Sequence, residues 1–160
     1  MKLLLCALLA CGANAFGFDS AAAFSRLKAL AGEWEATTPT GKFHVTYEVI
    51  GGGTAVVERD RGEGMPEMLT VYHMDGKRLL LTHYCMAGNQ PRMEAQAFDA
   101  ASGEIQFRFL DATNLASPAA GHMRNATLRL TDVRHFSSNW EYFEDGKIRN
   151  TEKFDYTRVR

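Results

Sequence analysis

Residues 68–93 read MLTVYHMDGKRLLLTHYCMAGNQPRM, and this stretch decides the fold. Two apolar runs rich in β-branched and aromatic residues flank Asp75-Gly76. Asp-Gly between such runs predicts a β-hairpin, because a type I′ turn needs positive φ at both central residues. Counting outward from a two-residue loop at these positions predicts four facing pairs. They are Met74 with Lys77, Tyr72 with Leu79, Thr70 with Leu81, and Met68 with His83.

Side chains alternate between the two faces of a strand, so these residues share one face with Cys85. The opposite face carries charges such as Glu67 and Arg78. We therefore expect the first face to line the interior, with Tyr72, His83 and Cys85 as its polar members. A bulge at the turn would exchange the faces, exposing His83 and burying Tyr84.

The rest of the chain repeats this pattern. Phe43, Val45, Tyr47 and Val49 alternate with polar residues, and turn signals recur about every 8–12 residues. Helical spacing of apolar residues predicts one short helix over residues 24–31, ended by Gly32. About ten strands joined by hairpins predict an all-β fold, an antiparallel up-and-down β-barrel.

A second hairpin is predicted at Asp145-Gly146. Its register would place Asn139 and Glu141 on the inward face, beside Phe154 and Tyr156. Buried carboxylates need partners, and the candidates are Arg92 and Arg158. The alternative is that the opposite face of this hairpin points inward.

The composition and the first residues limit the classes of protein to which this chain can belong. A chain of 160 residues with a formal charge of −1 suits one domain without the basic surface of nucleic-acid-binding proteins. A basic residue, an apolar run to residue 10 and Ala13-Asn14-Ala15 have the layout of a signal peptide, too short for a transmembrane span. We expect residues 1–15 to be removed and residues 16–160 to form one exported, monomeric domain, in the bacterial periplasm or outside the cell.

Two alternatives concern this segment and its cysteines. Leu8-Leu9-Ala10-Cys11 resembles a lipoprotein box, which would anchor the domain through a lipid on Cys11, and a buried N-terminal helix is the other reading. Cleavage leaves Cys85 as the one cysteine, so no intrachain disulfide is expected. It is either a small buried apolar residue or a reactive thiol.

Chemistry other than binding has weaker sequence support. His83 with Cys85, or with an inward carboxylate such as Glu141, would suit a small cofactor-free enzyme. Residues at i and i+2 on a strand lie about 7 Å apart, so a direct hydrogen bond is not the default. The five histidines are scattered without metal-ligand spacing, and no metal site is expected.

Four segments carry a resemblance. Leu30-Ala31-Gly32-Glu33-Trp34 is similar to the Gly-x-Trp entry of calycins, the lipocalin-like, fatty-acid-binding-protein-like and nitrobindin-like barrels. The segments 82–85 (THYC) and 89–92 (NQPR) resemble secreted bacterial lipocalin-like proteins of unassigned function. So does the ending, with Trp140, Asp145-Gly146-Lys147, Phe154, Tyr156 and Arg158.

This resemblance implies a ten-stranded barrel with an internal cavity and no defined ligand. We therefore expect a small amphipathic or hydrophobic molecule to bind in a central cavity, without a cofactor. Nitrobindin-like barrels hold haem through a histidine, so haem at a histidine such as His83 is the further alternative. The predicted ligand-binding residues are Tyr72, His83, Cys85, Arg92, Asn89, Gln90, Asn139 and Glu141.

Overall fold

The computed structural model describes residues 18–39 and 41–159. The predicted signal peptide, its cleavage site and Cys11 lie outside the described residues. Within the described ranges, no helix is long and apolar enough to cross a membrane.

One helix precedes the strands. Helix α1 spans Ser20–Lys28, so it begins and ends earlier than predicted. Asp19 is the reason for the early start, because its side chain accepts a hydrogen bond from the Ala22 N–H at 2.9 Å and caps the helix. The alanine-rich first turn shows too little apolar spacing to reveal this start.

Ten strands follow in the described chain and close into an antiparallel barrel, which confirms the predicted fold class. Each strand pairs with its neighbours in sequence, and the first pairs with the last. The strands are β1 Gly32–Thr38, β2 Gly41–Ile50, β3 Ala55–Gly62, β4 Met68–Asp75, β5 Arg78–Tyr84, β6 Gln90–Asp99, β7 Glu104–Thr113, β8 His122–Leu130, β9 His135–Glu144 and β10 Lys147–Arg158.

The seam between β1 and β10 is short. Only two Cα pairs join these strands, Trp34 with Arg158 and Glu35 with Thr157. The Val159 N–H extends the seam by donating to the Glu33 carbonyl at 2.8 Å. The seam therefore pairs β10 with β1 only near its last residues, and the preceding part of β10 has β9 as its paired neighbour.

Helix α1 closes one end of the barrel. It packs against β2, β4, β5 and β6, and buries Ala23, Phe24 and Leu27. Beside it the Trp34 indole donates to the Leu30 carbonyl at 2.7 Å and meets Phe136 edge-on at 4.8 Å. We call this the closed end. The opposite end, formed by the β1–β2, β3–β4, β5–β6, β7–β8 and β9–β10 connections, is the open end.

In the central hairpin the predicted faces are confirmed, but the facing pairs are wrong by two residues. The structure pairs Asp75 with Arg78 and Thr70 with His83. The loop residues are thus Gly76 and Lys77, with Gly76 at φ 59°, as a type II′ turn requires at its first central position. A shift of two residues preserves the faces, so His83 is 3% exposed and Tyr84 is 50% exposed.

In the second hairpin a bulge reverses part of the prediction. Asp145 and Gly146 both have positive φ, and Phe143 faces Ile148 as predicted. Arg149 is then an extra residue, so that Trp140 faces Glu152. Its guanidinium donates to the Glu144 carbonyl and to Asp145.

Beyond this bulge, each residue of β10 faces a β9 residue one position later in the sequence than predicted. Phe136, Ser138 and Trp140 are buried, and they face Tyr156, Phe154 and Glu152 of β10. The expectation that Asn139 and Glu141 point inward is therefore wrong for β9, whereas the inward face predicted for β10 is right.

The central hairpin gives a stability prediction. Leu81 is completely buried in the core, so Leu81→Ala should lower the free energy of unfolding by about 2–5 kcal/mol. Arg78→Ala, which removes exposed ion pairs to Glu94 and Asp75, should cost at most about 1 kcal/mol. Urea denaturation of both variants measures the difference, and similar losses would contradict the assigned faces.

Candidate functional site

The barrel interior is mostly filled by side chains. Tyr72, Leu79, Leu81 and Phe107 are completely buried in its middle. The cavity that remains has a volume of about 20 Å³, enough for about one water molecule. The expectation of a roomy central cavity is therefore wrong.

Two clefts that adjoin this cavity lie at the open end. One cleft of about 460 Å³ is lined by Phe43, Met65 and Phe154, and we call it the aromatic cleft. A second, of about 270 Å³, is the methionine cleft, lined by Met65, Met68, Met86, Met123, Cys85 and Tyr142.

Glu152 joins these spaces, because it lines both clefts and the small cavity. The aromatic cleft shares Phe43 and Phe154 with the cavity, and the methionine cleft shares Met68 and Met123 with it. We call the cavity and the two clefts together the mouth.

His83 lies on the floor of the mouth. Its Nδ1 is 2.9 Å from the Thr70 hydroxyl, and its ring packs 5.1 Å from the Trp140 ring. Its Nε2 is buried and has no hydrogen-bond partner. Burial lowers the pKa of His83 to about 4, so the imidazole is neutral at physiological pH.

Strand β3 carries a pair of acids close to His83, and one of them, Asp60, lines the same cavity as His83. Glu58 and Asp60 are both buried, and the Tyr72 hydroxyl donates to Glu58 Oε2 at 2.6 Å. Burial raises the pKa of Asp60 well above its ordinary value, and the nearby Glu58 raises it further. Burial also raises the pKa of Glu58, although hydrogen bonding to Tyr47, Tyr72 and Asp60 opposes that rise. Two such carboxyls share a proton rather than ionising together.

Sequence analysis missed both acids. Residues 58–61 read ERDR, which looks like a solvated charged run. The signal was the alternation itself, because Val56, Glu58 and Asp60 occupy one face of β3 while Arg59 and Arg61 occupy the other. A buried tyrosine such as Tyr72 also needs a partner for its hydroxyl.

Tyr72 itself does not line the mouth. It lies deeper, where its ring packs 5.8 Å from that of Phe107. The expectation that Tyr72 and His83 line the same pocket is wrong, although Glu58 connects Tyr72 to the floor through the hydrogen bond described above.

Cys85 and His83 do not form a catalytic pair in this geometry. The Cys85 sulfur lines the methionine cleft and accepts from the Ala87 N–H at 3.5 Å. Burial is the main cause that raises the pKa of this thiol. The His83 imidazole bonds Thr70 rather than Cys85. A thiol whose pKa is raised and that has no base as a partner is not an activated nucleophile.

Three other predicted residues lie outside the mouth. Arg92 is exposed and forms a two-bond ion pair with Asp111. Glu141 accepts from Asn125 Nδ2 at 2.6 Å on the outer face of β9. Asn139 lies on that face too, with a buried Oδ1 that has no partner.

Asn89 and Gln90 stabilise the rim. Asn89 is buried and donates to the Gly121 carbonyl at 2.8 Å, which ties the β5–β6 turn to the β7–β8 loop. Gln90 accepts from the Thr113 hydroxyl at 2.8 Å. These contacts account for both residues as rim structure, and neither lines the cavity or the two clefts.

Arg158 lies at the closed end, beside a cleft of about 650 Å³. Its guanidinium donates to the Ala29, Ala31 and Val133 carbonyls at 2.7–2.9 Å and lies 4.0 Å from the Trp34 ring centre. It closes the barrel there, and its expected pairing with a buried carboxylate is wrong.

The side chains around His83 do not fit a haem. His83 Nε2 borders only the 20 Å³ cavity, and Phe43, Trp140 and Phe154 occupy the adjoining space. Among the described residues, no group of three or more His, Cys, Asp or Glu side chains is arranged to hold a metal ion.

Comparison with known proteins identifies the fold only. No family model and no curated protein matches the chain. A similar solved structure is the crystal structure of Rv2717c from M. tuberculosis, with a TM-score of 0.57 and 15% sequence identity. The match covers 86% of this chain and 98% of that chain.

The neutral, buried His83 gives a prediction about pH. Because its pKa falls from an ordinary 6.5 to about 4, the folded protein binds fewer protons than the unfolded chain between these values. The His83 contribution to stability is present above pH 6.5 and is lost as the pH falls toward 4. His83→Gln should therefore reduce the loss of unfolding free energy between pH 7 and pH 4 by about 3 kcal/mol.

Urea denaturation of wild type and His83→Gln at several pH values in this range measures that difference. The carboxyl groups distant from His83 titrate in both proteins, so their effects cancel in the comparison. The same pH dependence in both proteins would show that His83 is not buried as a neutral imidazole.

Proposed function

We propose that this protein is an exported, lipocalin-like β-barrel that binds a small amphipathic molecule in its mouth. The observation that carries the proposal is the continuity of the apolar methionine cleft, and of the aromatic cleft with its charged border, with one polar floor. Small-molecule sites combine a mostly apolar lining with a few convergent polar groups, and the mouth has this composition. The ligand would lie across the open end, because the barrel centre is filled.

The methionine cleft supports binding rather than simple packing. Methionine side chains are flexible and polarisable, so they adapt to ligands of different shape. Met65 and Met86 are exposed at its entrance, whereas Met68 and Met123 are buried at its base. Such a gradient from exposed to buried thioethers suits an apolar group that enters from solvent.

Of the eight residues predicted as ligand-binding, His83 and Cys85 line the mouth. We propose His83 as the polar contact on the floor and Cys85 as part of the apolar wall. Met68, Met123, Trp140 and Glu152 join them on the basis of the structure.

The family and export parts of the proposal are supported by separate observations. Trp34, the tryptophan of the Gly-x-Trp segment, is buried at the closed end, where a barrel of this kind needs a large apolar plug. The layout of residues 1–15 supports export.

A fluorescence titration with N-phenyl-1-naphthylamine tests binding in the mouth. We expect saturable binding of one probe per chain by the wild type. Met65→Asp/Met86→Asp places charge at the entrance without touching the core, and should weaken probe affinity roughly tenfold or more.

Val133→Asp is the matched control, because Val133 is exposed at the closed end beside the 650 Å³ cleft. It should leave probe affinity unchanged. Equal weakening by both variants, or the absence of saturable binding, would contradict a ligand site in the mouth.

Processing of the first residues has its own test. We expect the mature chain, isolated from its native host, to begin at Phe16, or at a lipidated Cys11 if the lipoprotein route operates. Intact mass and N-terminal sequencing separate these outcomes. A chain that retains Met1 in its native host contradicts export by either route.

A further inference from the structure

We propose that the mouth selects ligands that carry a protonated primary amine on an apolar body, with the ammonium group seated in the small cavity. This inference rests on the proposed function, because it names the chemical class of the ligand for the same site. Four features carry it: aromatic rings, acids without an internal cation, a free buried acceptor, and the size of the cavity.

Aromatic rings form much of the cavity wall. Phe43, Trp140, Phe154 and Tyr156 all line it. The rings of Phe43 and Phe154 stack at 4.5 Å, and Phe154 and Tyr156 lie 5.8 Å apart. The face of an aromatic ring attracts a cation, most strongly where water is excluded. Stacking covers part of these faces, so a cationic group in this cavity would be attracted by the ring faces that stacking leaves uncovered.

The same cavity holds two acids and no lysine or arginine. Asp60 and Glu152 line it, with Glu58 behind Asp60, and neither the cavity nor the methionine cleft is lined by a lysine or arginine. The lysines of the aromatic cleft, Lys42 and Lys153, are exposed. A buried carboxylate without an internal cation is unfavourable, and a bound ammonium group would supply the missing charge.

His83 provides an acceptor that the protein leaves unused. It is almost completely buried, it lines the cavity, and its Nε2 has no partner. The Thr70 hydroxyl can act as donor or acceptor toward Nδ1, so Nε2 is free to accept a hydrogen bond. An ammonium group has three N–H donors, which matches Nε2 together with the Asp60 and Glu152 carboxylates.

Size excludes bulkier organic cations. A cavity of about 20 Å³ holds one water-sized group, which an ammonium group matches. A quaternary ammonium group or a guanidinium group is larger than this space. The apolar remainder of the ligand would pass between Met68 and Met123 into the methionine cleft.

Protonation of the floor adds a pH signature. The ionisable groups that line the cavity are Asp60, His83, Glu152 and Tyr156, and Glu58 lies behind them with its hydrogen-bond partners Tyr47 and Tyr72. The adjoining clefts add Lys42, Glu63, Cys85 and Lys153. Burial raises the pKa of Asp60 and of Glu152, so these carboxyl groups hold their protons to higher pH than ordinary carboxyl groups do. A bound cation favours their ionised forms, so binding releases protons and amine affinity should rise from pH 5.5 to pH 7.5.

A matched set of ligands tests the inference by isothermal titration calorimetry: 2-phenylethylamine, 2-phenylethanol and phenylacetate. We expect the amine to bind at least tenfold more tightly than the alcohol at pH 7.5, and the acid to bind more weakly than either. Glu152→Gln and Asp60→Asn should each weaken amine binding at least tenfold and leave binding of the alcohol within twofold.

Glu94→Gln is the control for lost negative charge, since Glu94 pairs with Arg78 on the outer surface, and it should leave amine affinity unchanged. Glu152 is only half-buried, so its variant reports on binding even if Asp60→Asn unfolds. Tighter or equal binding of the alcohol or the acid overturns the amine inference. Failure of all three ligands while N-phenyl-1-naphthylamine binds also overturns it and leaves the proposed function standing, whereas failure of all four ligands overturns both.

Discussion

The hydrogen bond from the Tyr72 hydroxyl to Glu58 is the interaction on which the character of the interior depends. A carboxyl group that is buried without a donor costs several kcal/mol, of order 2–7 by transfer measurements on polar groups. Tyr72 provides that donor from the neighbouring strand, and Asp60 then lies two residues further along the same face of β3. The open half of the barrel can therefore be polar while the closed half stays apolar.

This division assigns different tasks to the two ends. At the closed end, α1, Trp34 and Phe136 pack together and the Arg158 guanidinium binds three backbone carbonyls, so the polar groups there have partners within the protein. At the open end, His83 Nε2 lacks one. Buried polar atoms nearly always have a partner, so an exception that borders a cavity points to a water or ligand atom.

Sequence periodicity predicted the fold and the inward face of the central hairpin for identifiable reasons. In the central hairpin the register was wrong by two, but a shift of two keeps each side chain on its face, so His83 and Cys85 were placed correctly. The bulge at Arg149 shifts the pairing by one and exchanges the faces of β9, so Asn139 and Glu141 were misplaced and Trp140 was missed. Glu58 and Asp60 were missed because residues 58–61 read as a solvated charged run, although the alternation with Val56 places both acids on one face of β3.

The short seam between the first and last strands has a kinetic consequence. Every other strand pairing joins neighbours in sequence through a short connection. The pairing of Trp34 with Arg158 instead joins residues that are separated by most of the chain. Contacts between residues that are distant in sequence cost the most loop-closure entropy, so they form late during folding. An open sheet that extends from β1 to β10 should therefore precede the closed barrel, and the mouth, which draws residues from β2, β3 and β10, should be completed only when the seam forms.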